Sequence, residues 1–563
     1  MIAAANRIAK RLASLCTGEE EPALPVLQKA KREVISKCIY GVDINPMAAE
    51  LCKVSLWLEA LDPGKPLSFL DHHIQVGNSL LGTTPRLMAE GIPNDAFKPI
   101  EGDDKKVASA LRKQNRGELK QREAGLRQLG LDQAPAADYG YLSDSMNLLA
   151  AEPDDSLADI RQKEEFYAAL AQDDEYIKAR MLADAWCAAF VWVKSTPPPA
   201  PPQRAREGSS DAQVWPDMPL TDLLYRHLED DPQAENMQTI REQVAALTDR
   251  YGFFHWHVAF PDVFGVPDNL EAAENETAGW NGGFDVVLGN PPWEHTEIKE
   301  KEWFAERNPE IAAAPGARRK QLIADLKNGD PMLYDAFVVD KRQADGLSHF
   351  VRTSGNYPLT GRGRINTYPL FAETKRLLIN EVGHVGTIVP SGIATDDTTK
   401  YFFQDLMKSD SLASLYDFEN RQKLFPAVDS RMKFSLLTMT GPDIRSRESE
   451  FVFFALNVGD LDDKWRRFKL SAADIAMLNP NTGTMATFRS QRDAEITKAI
   501  YRRVPVLIKE TPLENTWGIT FKQGVFNMTS DSDKFRTRDQ LESLGFTLEG
   551  NHFVLDEDDE AGA

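Results

Sequence analysis

The sequence lacks a hydrophobic run long enough to cross a membrane. Its 563 residues are 42% hydrophobic and 27% charged, and no apolar stretch approaches the roughly 20 residues that a transmembrane helix needs. Only four cysteines are present, and they are scattered without CxxC or zinc-ligand spacing. We therefore expect a cytoplasmic protein of roughly two to four domains, with no metal site and with reduced thiols in its core.

The sequence is also short of positive charge. It has 65 lysines and arginines against 86 acidic residues, which gives a formal net charge of -21. This balance argues against a non-specific polyanion binder, since such proteins are normally basic. Local basic clusters could still steer a nucleic acid while acidic segments face away. Such clusters occur at residues 318–320, at Arg362 with Arg364, and at Lys375 with Arg376.

The most informative stretch is residues 283–293, GFDVVLGNPPW. Its first half is an apolar, β-branched run, which is typical of a strand buried on both faces. The Pro pair then ends the strand, because Pro has no ladder donor and restricts the residue before it. Asn290, Pro291, Pro292 and Trp293 are thereby predicted at the carboxyl end of a central strand, where ligands bind in open α/β sheets. Alternatively, this is an ordinary Pro turn and Trp293 belongs to the core.

The Asn-Pro-Pro-Trp tetrapeptide resembles the catalytic loop of S-adenosylmethionine (AdoMet)-dependent methyltransferases that modify the amino groups of adenine, cytosine or glutamine. An adenine amine is a poor nucleophile because its lone pair is delocalised into the ring. The Asn290 side-chain oxygen and the Pro291 carbonyl could accept hydrogen bonds from its two protons, which would localise and orient the lone pair. Trp293 offers a face on which an extruded base can stack.

Two strand–turn units near the start of the chain carry polar side chains. Residues 38–43 are predicted to form a buried strand that ends in Asp43, and Asn45-Pro46 then predicts a helix N-cap and first turn. An acid at such a turn is typical of ribose binding in nucleotide-binding sheets. A second strand at residues 74–76 brings Asn78 to the same edge, although a plain polar turn explains Asn78 equally well.

The remaining chain predicts an α/β fold: a Rossmann-like methyltransferase core that carries a large helical insertion. Within the insertion, charged stretches rich in Ala and Leu predict helices at residues 105–129 and 157–193. A Pro-rich break at residues 196–202 interrupts the insertion and is expected to be an extended linker. Strands at residues 434–440 and 451–456 are expected to close the sheet as an antiparallel hairpin. We predict four segments: residues 1–84 (first part of the core), 85–250 (helical insertion), 251–460 (catalytic part of the core) and 461–563 (C-terminal extension).

Together these stretches resemble the γ-type adenine-N6 DNA methyltransferases of bacterial restriction–modification and phage-defence systems, the Eco57I-like and DISARM-type methylases. The matching stretches are residues 39–61 (IYGVDINPMAAELCKVSLWLEAL), 76–82 (VGNSLLG), 284–294 (FDVVLGNPPWE), 385–392 (VGTIVPSG), 424–440 and 479–493. The resemblance implies that Asp43, with Ile44, binds the AdoMet ribose and that Asn78 lies near the cofactor adenine. It also implies that residues 290–293 form the catalytic loop.

The resemblance further implies parts that this sequence does not contain. The family's Gly-rich turn would lie immediately upstream of Met1, and relatives continue beyond Leu555 into a target-recognition domain. We therefore expect part of a methyltransferase that acts on double-stranded DNA with a complementing N-terminal polypeptide or other defence-system subunits. Two alternatives stay open: a non-catalytic DNA-binding or assembly subunit, and a protein glutamine-N5 methyltransferase, which uses the same tetrapeptide.

Overall fold

The structure is a computed structural model, which describes residues 1–129, 136–195, 219–520, 524, 526–528 and 530–555. The Pro-rich segment at residues 196–202 and the acidic tail at residues 556–560 lie outside the described residues. The chain forms two compact units, Met1–Ala499 and Ile500–Ala563. Among the described helices, none combines the length and the apolar character of a membrane span. The four segments expected from the sequence stay a prediction.

The strands are short near the start of the chain and longer between residues 379 and 455. In chain order they are β1 (Gly41–Asp43), β2 (Ile74–Val76), β3 (Phe264–Gly265), β4 (Asn281–Gly282), β5 (Phe284–Gly289), β6 (Ile379–Val389), β7 (Leu412–Glu419), β8 (Lys433–Thr440), β9 (Ser449–Ala455), β10 (Phe468–Leu470), β11 (Lys509–Glu510), β12 (Leu513–Glu514), β13 (Phe546–Glu549) and β14 (His552–Leu555).

Helices lie between most of the strands. In chain order they are α1 (Ile2–Thr17), α2 (Leu24–Cys38), α3 (Pro46–Glu59), α4 (Pro85–Glu90), α5 (Lys105–Leu129), α6 (Tyr139–Ala151), α7 (Leu157–Leu170), α8 (Asp174–Val191), α9 (Asp222–Asp230), α10 (Gln238–Tyr251), α11 (Trp256–Ala259), α12 (Glu300–Ala305), α13 (Pro309–Ala313), α14 (Gly316–Gly329), α15 (Pro331–Thr353), α16 (Thr367–Leu377), α17 (Gly392–Thr395), α18 (Lys400–Lys408), α19 (Ala472–Leu478), α20 (Gln491–Tyr501) and α21 (Arg538–Ser543).

The main sheet has six strands in the order β10-β9-β7-β8-β6-β5. β5 pairs with β6 in parallel, and β7 pairs with β9 in parallel, whereas β8 runs antiparallel to both β6 and β7. Separately, β1 and β2 form a parallel pair connected through α3. Parallel strands joined through helices are the pattern of an α/β protein. The predicted fold class is confirmed.

The hairpin expected at residues 434–440 and 451–456 is wrong. β8 inserts between β6 and β7, and β9 pairs with β7 and with β10 instead of with β8. The sequence suggested a hairpin because consecutive strands usually pair. Here β8 finds its partners on both sides in earlier strands, which leaves β9 one position further out.

Helices α4 to α11 lie between β2 and β3, where the sequence predicts a helical insertion. α5 coincides with the helix expected at residues 105–129, whereas the stretch at residues 157–193 divides into α7 and α8. The division falls at Asp173, whose carboxylate caps α8 by accepting a hydrogen bond from the Glu175 N–H. α8 lies in the centre of a large core, where Trp186 and Phe190 pack against Phe350 of α15.

The expectation of core thiols is wrong for three of the four cysteines. Cys187 is buried in α8, but Cys16 and Cys38 are exposed and Cys52 is half-buried. All four thiols are free. A small apolar residue indicates burial only on average, and Cys38 ends α2 instead of entering the predicted strand, which shortens β1 to Gly41–Asp43.

Candidate active site

The candidate catalytic loop leaves the sheet at the carboxyl end of β5, as predicted, but β5 is the last strand in the described sheet and not a central one. Asn290 and Pro292 are exposed, whereas Pro291 between them is buried. Among the described residues, none forms a hydrogen bond with the Asn290 side chain. Its amide oxygen therefore remains available to a ligand at the end of the sheet where ligands bind in α/β proteins.

The loop is fixed by the N-terminal end of α16. The Thr367 hydroxyl donates a hydrogen bond to the Pro292 carbonyl at 2.7 Å, and the Glu294 N–H donates to the same hydroxyl at 3.2 Å. The Thr367 N–H in turn donates to the Glu294 carbonyl at 2.9 Å. These bonds lie at Pro292 and Glu294, so the carboxyl end of the tetrapeptide has a defined backbone path.

Trp293 is half-buried and packs beside the sheet. Like Ile388 of β6, it packs against the buried group of Phe418, Phe434, Val452 and Ala455, and its indole nitrogen is buried without a hydrogen-bond partner among the described residues. This arrangement agrees with the alternative that Trp293 contributes to the core. The stacking of a base on Trp293 stays a prediction, and a base could reach only the part of the indole that the core leaves uncovered.

A buried lysine lies beneath the start of the loop. The Lys375 ammonium donates to the Thr387 hydroxyl at 2.9 Å, and this hydroxyl donates to the Gly289 carbonyl at 3.1 Å. A Cβ atom at Gly289 would lie 2.6 Å from the ammonium nitrogen, so a larger residue there would displace the end of the lysine side chain. Burial lowers the pKa of Lys375 to about 8. Gly289, the residue before Asn290, is thus connected through the Thr387 hydroxyl to a buried lysine.

The interpretation of Lys375 and Arg376 as a surface cluster is therefore wrong for Lys375. Only Arg376 lies at the surface, where it pairs with Asp405. The helical spacing carried the signal, since Tyr368, Ala372 and Lys375 recur at i, i+4 and i+7 and all three are buried. Thr367, which anchors the loop, had no comparable signal in the sequence.

The β1 turn adopts the geometry that the sequence predicts. The Asn45 side chain accepts a hydrogen bond from the Met47 N–H at 3.0 Å and so caps α3, with Pro46 in its first turn. The Asp43 carboxylate is exposed and accepts from the Asn45 N–H at 2.8 Å. The Asn78 side-chain oxygen instead accepts from the Leu80 N–H at 3.2 Å. Asn78 thus has a structural role in its turn, and its contact with a cofactor stays a prediction.

A cavity of about 630 Å³ connects this turn with the segment after the tetrapeptide. Its lining includes Ile44, Val76, Asn78, Phe253, Thr296 and Ile298. The volume is in the usual range for a site that binds a cofactor-sized molecule. Neither Asp43 nor residues 290–293 are among the described lining residues, so the cavity borders both predicted parts of the site without including them.

The cavity suits the adenosine end of AdoMet. Ile44 and Val76 offer apolar contact to a flat ring, and the Asn78 amide supplies a polar group at the same wall. The exposed Asp43 carboxylate adjoins Ile44 and can accept hydrogen bonds from ribose hydroxyls. Of the three residues predicted to bind the cofactor, Ile44 and Asn78 therefore line the cavity, and Asp43 adjoins it through Ile44.

An exposed group of arginines lies beside the loop. The Ile365 carbonyl contacts His295 Nδ1 at 3.1 Å, which joins the segment 360–366 to the residues after Trp293. Arg362 and Arg364 are exposed in this segment, and Arg352 donates to the Gly363 carbonyl at 2.7 Å. Arg364 also approaches Glu297 at 3.4 Å. These three guanidinium groups form the basic surface that the sequence predicted in part.

The fold and the site together define an α/β protein with a polar loop at the carboxyl end of a parallel strand. The model of the Eco57I restriction-modification methylase family matches residues 37–315, about half of the chain. This segment belongs to that family, and the resemblance seen in its motifs is confirmed. The match includes β1, the helical insertion, β5 and the Asn-Pro-Pro-Trp loop.

Solved structures give only distant likenesses. The DrdV–DNA complex is 10% identical with a TM-score of 0.17, and the match covers 41% of this chain and 20% of that one. The type IIG restriction endonuclease BpuSI is 14% identical with a TM-score of 0.18, covering 66% and 38%. The type I restriction-modification system methyltransferase subunit from Streptococcus thermophilus is 11% identical with a TM-score of 0.23, covering 86% and 92%.

TM-scores of this size carry no argument about fold or function. The chain also spans only 20% and 38% of the first two of these structures. The search of curated proteins found no match. The assignment to the family therefore depends on the match over residues 37–315 alone.

Proposed function

We propose that this chain is part of a DNA methyltransferase that transfers the AdoMet methyl group to adenine N6 in double-stranded DNA, in the cytoplasm, for DNA modification and phage defence. The observation that carries the proposal is the exposed, unbonded amide of Asn290 on a Pro-Pro loop anchored by Thr367. The family match at residues 37–315 supports a methylase of a restriction–modification system.

Asn290 and Pro291 supply the acceptors for the target amine. A buried Pro291 followed by the hydrogen bond from Thr367 to Pro292 keeps the Pro291 carbonyl in one orientation. Two fixed acceptors draw the amine protons away from the ring plane, so that the nitrogen lone pair becomes directional. AdoMet, when bound, supplies an electrophilic methyl group on a sulfonium centre.

Asp43, Ile44 and Asn78 are the residues proposed to hold the cofactor. The carboxylate would accept from the ribose hydroxyls, and the cavity wall at Ile44 and Asn78 would contact the adenine. This assignment accounts for an exposed acid that has no ion-pair partner among the described residues. The methionine end would need further groups, and we expect a complementing polypeptide or another subunit of the defence system to supply them.

DNA is supported by the basic surface of Arg352, Arg362 and Arg364 beside the loop. Guanidinium groups at this place would contact phosphates next to an extruded base, despite the net charge of -21. A protein glutamine-N5 methyltransferase would have no use for such a surface. A non-catalytic DNA-binding or assembly subunit remains the second candidate, because the half-buried Trp293 and the turn role of Asn78 agree with a structural use of both residues.

The test compares two asparagine variants in the full chain, together with the polypeptides encoded beside it. Transfer of tritiated methyl from AdoMet to duplex DNA should fall at least about a hundredfold in Asn290→Ala, since a lost transition-state acceptor costs on this scale. Asn147→Ala is the matched control, because the Asn147 side chain is also exposed and forms no hydrogen bond with the described residues, but lies in α6 of the helical insertion. Equal rates for wild type and Asn290→Ala would refute the catalytic role. DNA binding without transfer by the wild type would favour the non-catalytic subunit.

A further inference from the structure

The end of β5 differs from the rest of the strand in what it contacts. Val286 and Leu288 are 56% and 60% exposed, so the prediction of a strand buried on both faces is wrong. The reason is that β6 alone pairs with β5 among the described strands. At Gly289, in contrast, the strand lies against the ammonium group of Lys375, which is only 8% exposed. A buried charge thus lies beside the residue that leads into the catalytic loop.

This charge has no carboxylate partner among the described residues. Burial lowers the pKa of the Lys375 ammonium group to about 8, and no neighbouring charge opposes that shift. The other charged side chains of α16, β5 and β6 have partners elsewhere or face solvent: Glu373, Arg376, Asp285, Glu381 and His384. A buried cation without a counter-charge lowers the stability of a fold. A role other than stability would account for a cation in this place.

The ammonium group fixes the direction of one hydroxyl group. It donates to Thr387 Oγ1 at 2.9 Å, and an ammonium group has three donors and no acceptor. The single proton of the Thr387 hydroxyl must therefore be donated elsewhere, and the Gly289 carbonyl at 3.1 Å accepts it. Thr387 lies opposite Gly289 in the parallel pair of β5 and β6. The hydrogen bonds thus run in one direction, from the cation through the hydroxyl to the carbonyl directly before Asn290.

A neutral amine at the same place would not impose this direction. It has a lone pair, so it can accept the proton of the Thr387 hydroxyl, which then no longer donates to the Gly289 carbonyl. The hydrogen bond to Gly289 is therefore enforced only while Lys375 carries its proton. With a pKa of about 8, that condition holds at neutral pH and is lost as the pH rises above 8.

We propose that Lys375 is a positioning residue of the catalytic loop, because it acts through Thr387 to fix the Gly289 carbonyl and so the peptide plane from which Asn290 extends. The peptide between Gly289 and Asn290 is planar, so a fixed carbonyl also fixes the Asn290 nitrogen. Thr367 holds the loop at its carboxyl end, and this chain of hydrogen bonds holds its amino end. The inference rests on the proposed function, in which the Asn290 oxygen must meet the target amine within a fraction of an ångström.

Two variants of Thr387 test the hydroxyl. Methyl transfer to duplex DNA is measured with the full chain, the polypeptides encoded beside it and saturating AdoMet. The kcat should fall at least about tenfold in Thr387→Val, because a misplaced acceptor loses its orientation, and should stay within about twofold in Thr387→Ser, which keeps the hydroxyl. Thr438→Val is the matched control, because Thr438 lies opposite Gly386 and forms no side-chain hydrogen bond with the described residues. Equal kcat values for Thr387→Val and Thr387→Ser would overturn the inference.

Lys375→Met tests the cation and separates positioning from support of the fold. At pH 7 the variant should have a kcat at least about threefold lower than the wild type but a higher thermal midpoint, whereas a purely structural lysine would lose both together. The ratio of wild-type to variant kcat should also fall at least about twofold between pH 7 and pH 9. Arg376→Met is the control, because Arg376 lies at the surface and pairs with Asp405. A ratio that stays constant with pH would contradict the role of the protonated lysine.

Hydrogen exchange tests the same positioning without methyl transfer. Mass spectrometry of the full chain at pH 7 should show faster exchange at residues 285–296 in Thr387→Val and Lys375→Met than in the wild type or Thr387→Ser. Peptides from β7 should exchange equally in all four. Unchanged exchange at residues 285–296 would overturn the inference.

The two kinds of failure are distinguishable. If Asn290→Ala abolishes transfer while Thr387→Val and Lys375→Met keep wild-type rates, the positioning role is refuted and the proposed function stands. If the wild type transfers no methyl group, the proposed function fails, and hydrogen exchange alone decides whether Lys375 and Thr387 fix the loop.

Discussion

β5 and β6 are parallel neighbours in one sheet, but they differ in what lies on their other side. β6 lies between β5 and β8, and its Val385 is fully buried. Among the described strands, β5 has a neighbour on one edge only, and its Val286 is 56% exposed. Both strands are rich in β-branched apolar residues. Such a run therefore predicts a strand, whereas the burial of that strand depends on residues far away in the chain or in another chain.

An asparagine placed in each strand tests this difference in burial between β5 and β6. Val385→Asn should lower the free energy of unfolding by about 3–5 kcal/mol, because it removes a buried valine and buries an unpaired amide. Val286→Asn should lower it by less than about 1 kcal/mol, because water reaches the exposed site. Urea denaturation followed by circular dichroism measures both. A similar loss in the two variants would mean that β5 is already covered in solution.

The backbone directly before β5 is fixed by Gly283, although the outer edge of the strand is open. Gly283 has a φ of +132°, and a Cβ atom there would lie 2.7 Å from the Asn380 nitrogen. Gly283→Ala should therefore destabilise the unit by about 1–3 kcal/mol. Gly265→Ala is the control, because nothing lies within 4 Å of its Cβ position. Equal thermal midpoints for both variants would contradict the backbone path described for β5.

The end of β5 also contacts a buried charge, because the Lys375 ammonium of α16 lies beside Gly289 and donates to Thr387 of β6. The pKa of Lys375 is lowered to about 8 in the folded chain, below the ordinary value of about 10.4 in the unfolded chain. Between these values the unfolded state binds the extra proton, so the contribution of Lys375 to stability rises with pH from about 8 to about 10. Below pH 8 the buried charge is fully destabilising.

Lys375→Met removes this titration while keeping the length of the side chain. The wild type should gain roughly 1–3 kcal/mol relative to the variant between pH 8 and pH 10, and the variant should be the more stable of the two at pH 7. Urea midpoints at four pH values within this range provide the measurement. A constant difference between wild type and variant would show that Lys375 keeps an ordinary pKa.

The sequence predicted the parts of the fold that depend on local patterns. The strand at residues 284–289, the cap at Asn45 and the helix at residues 105–129 all follow from nearby residues. The position of β8 between β6 and β7 did not follow, because strand order is set by contacts between distant segments. The exposure of Val286 escaped prediction for the same reason.

The sequence likewise predicted some parts of the candidate site and not others. The loop at Asn290 was predictable because Gly, Asn and two prolines dictate how a strand ends. Its anchor at Thr367 and the buried Lys375 come from α16, more than 70 residues later, and no local pattern connects them with the loop. The basic surface was predictable as composition, but its place beside His295 was not.

The central claim is that the loop at Asn290 directs methyl transfer to adenine N6. The direct measurement is mass spectrometry of nucleosides from duplex DNA incubated with the full chain, the polypeptides encoded beside it and AdoMet that carries a trideuterated methyl group. The account predicts trideuterated N6-methyl-2′-deoxyadenosine as the product, absent with Asn290→Ala and present with Asn147→Ala. Label found instead on cytosine N4, on protein glutamine or on no acceptor at all would contradict it.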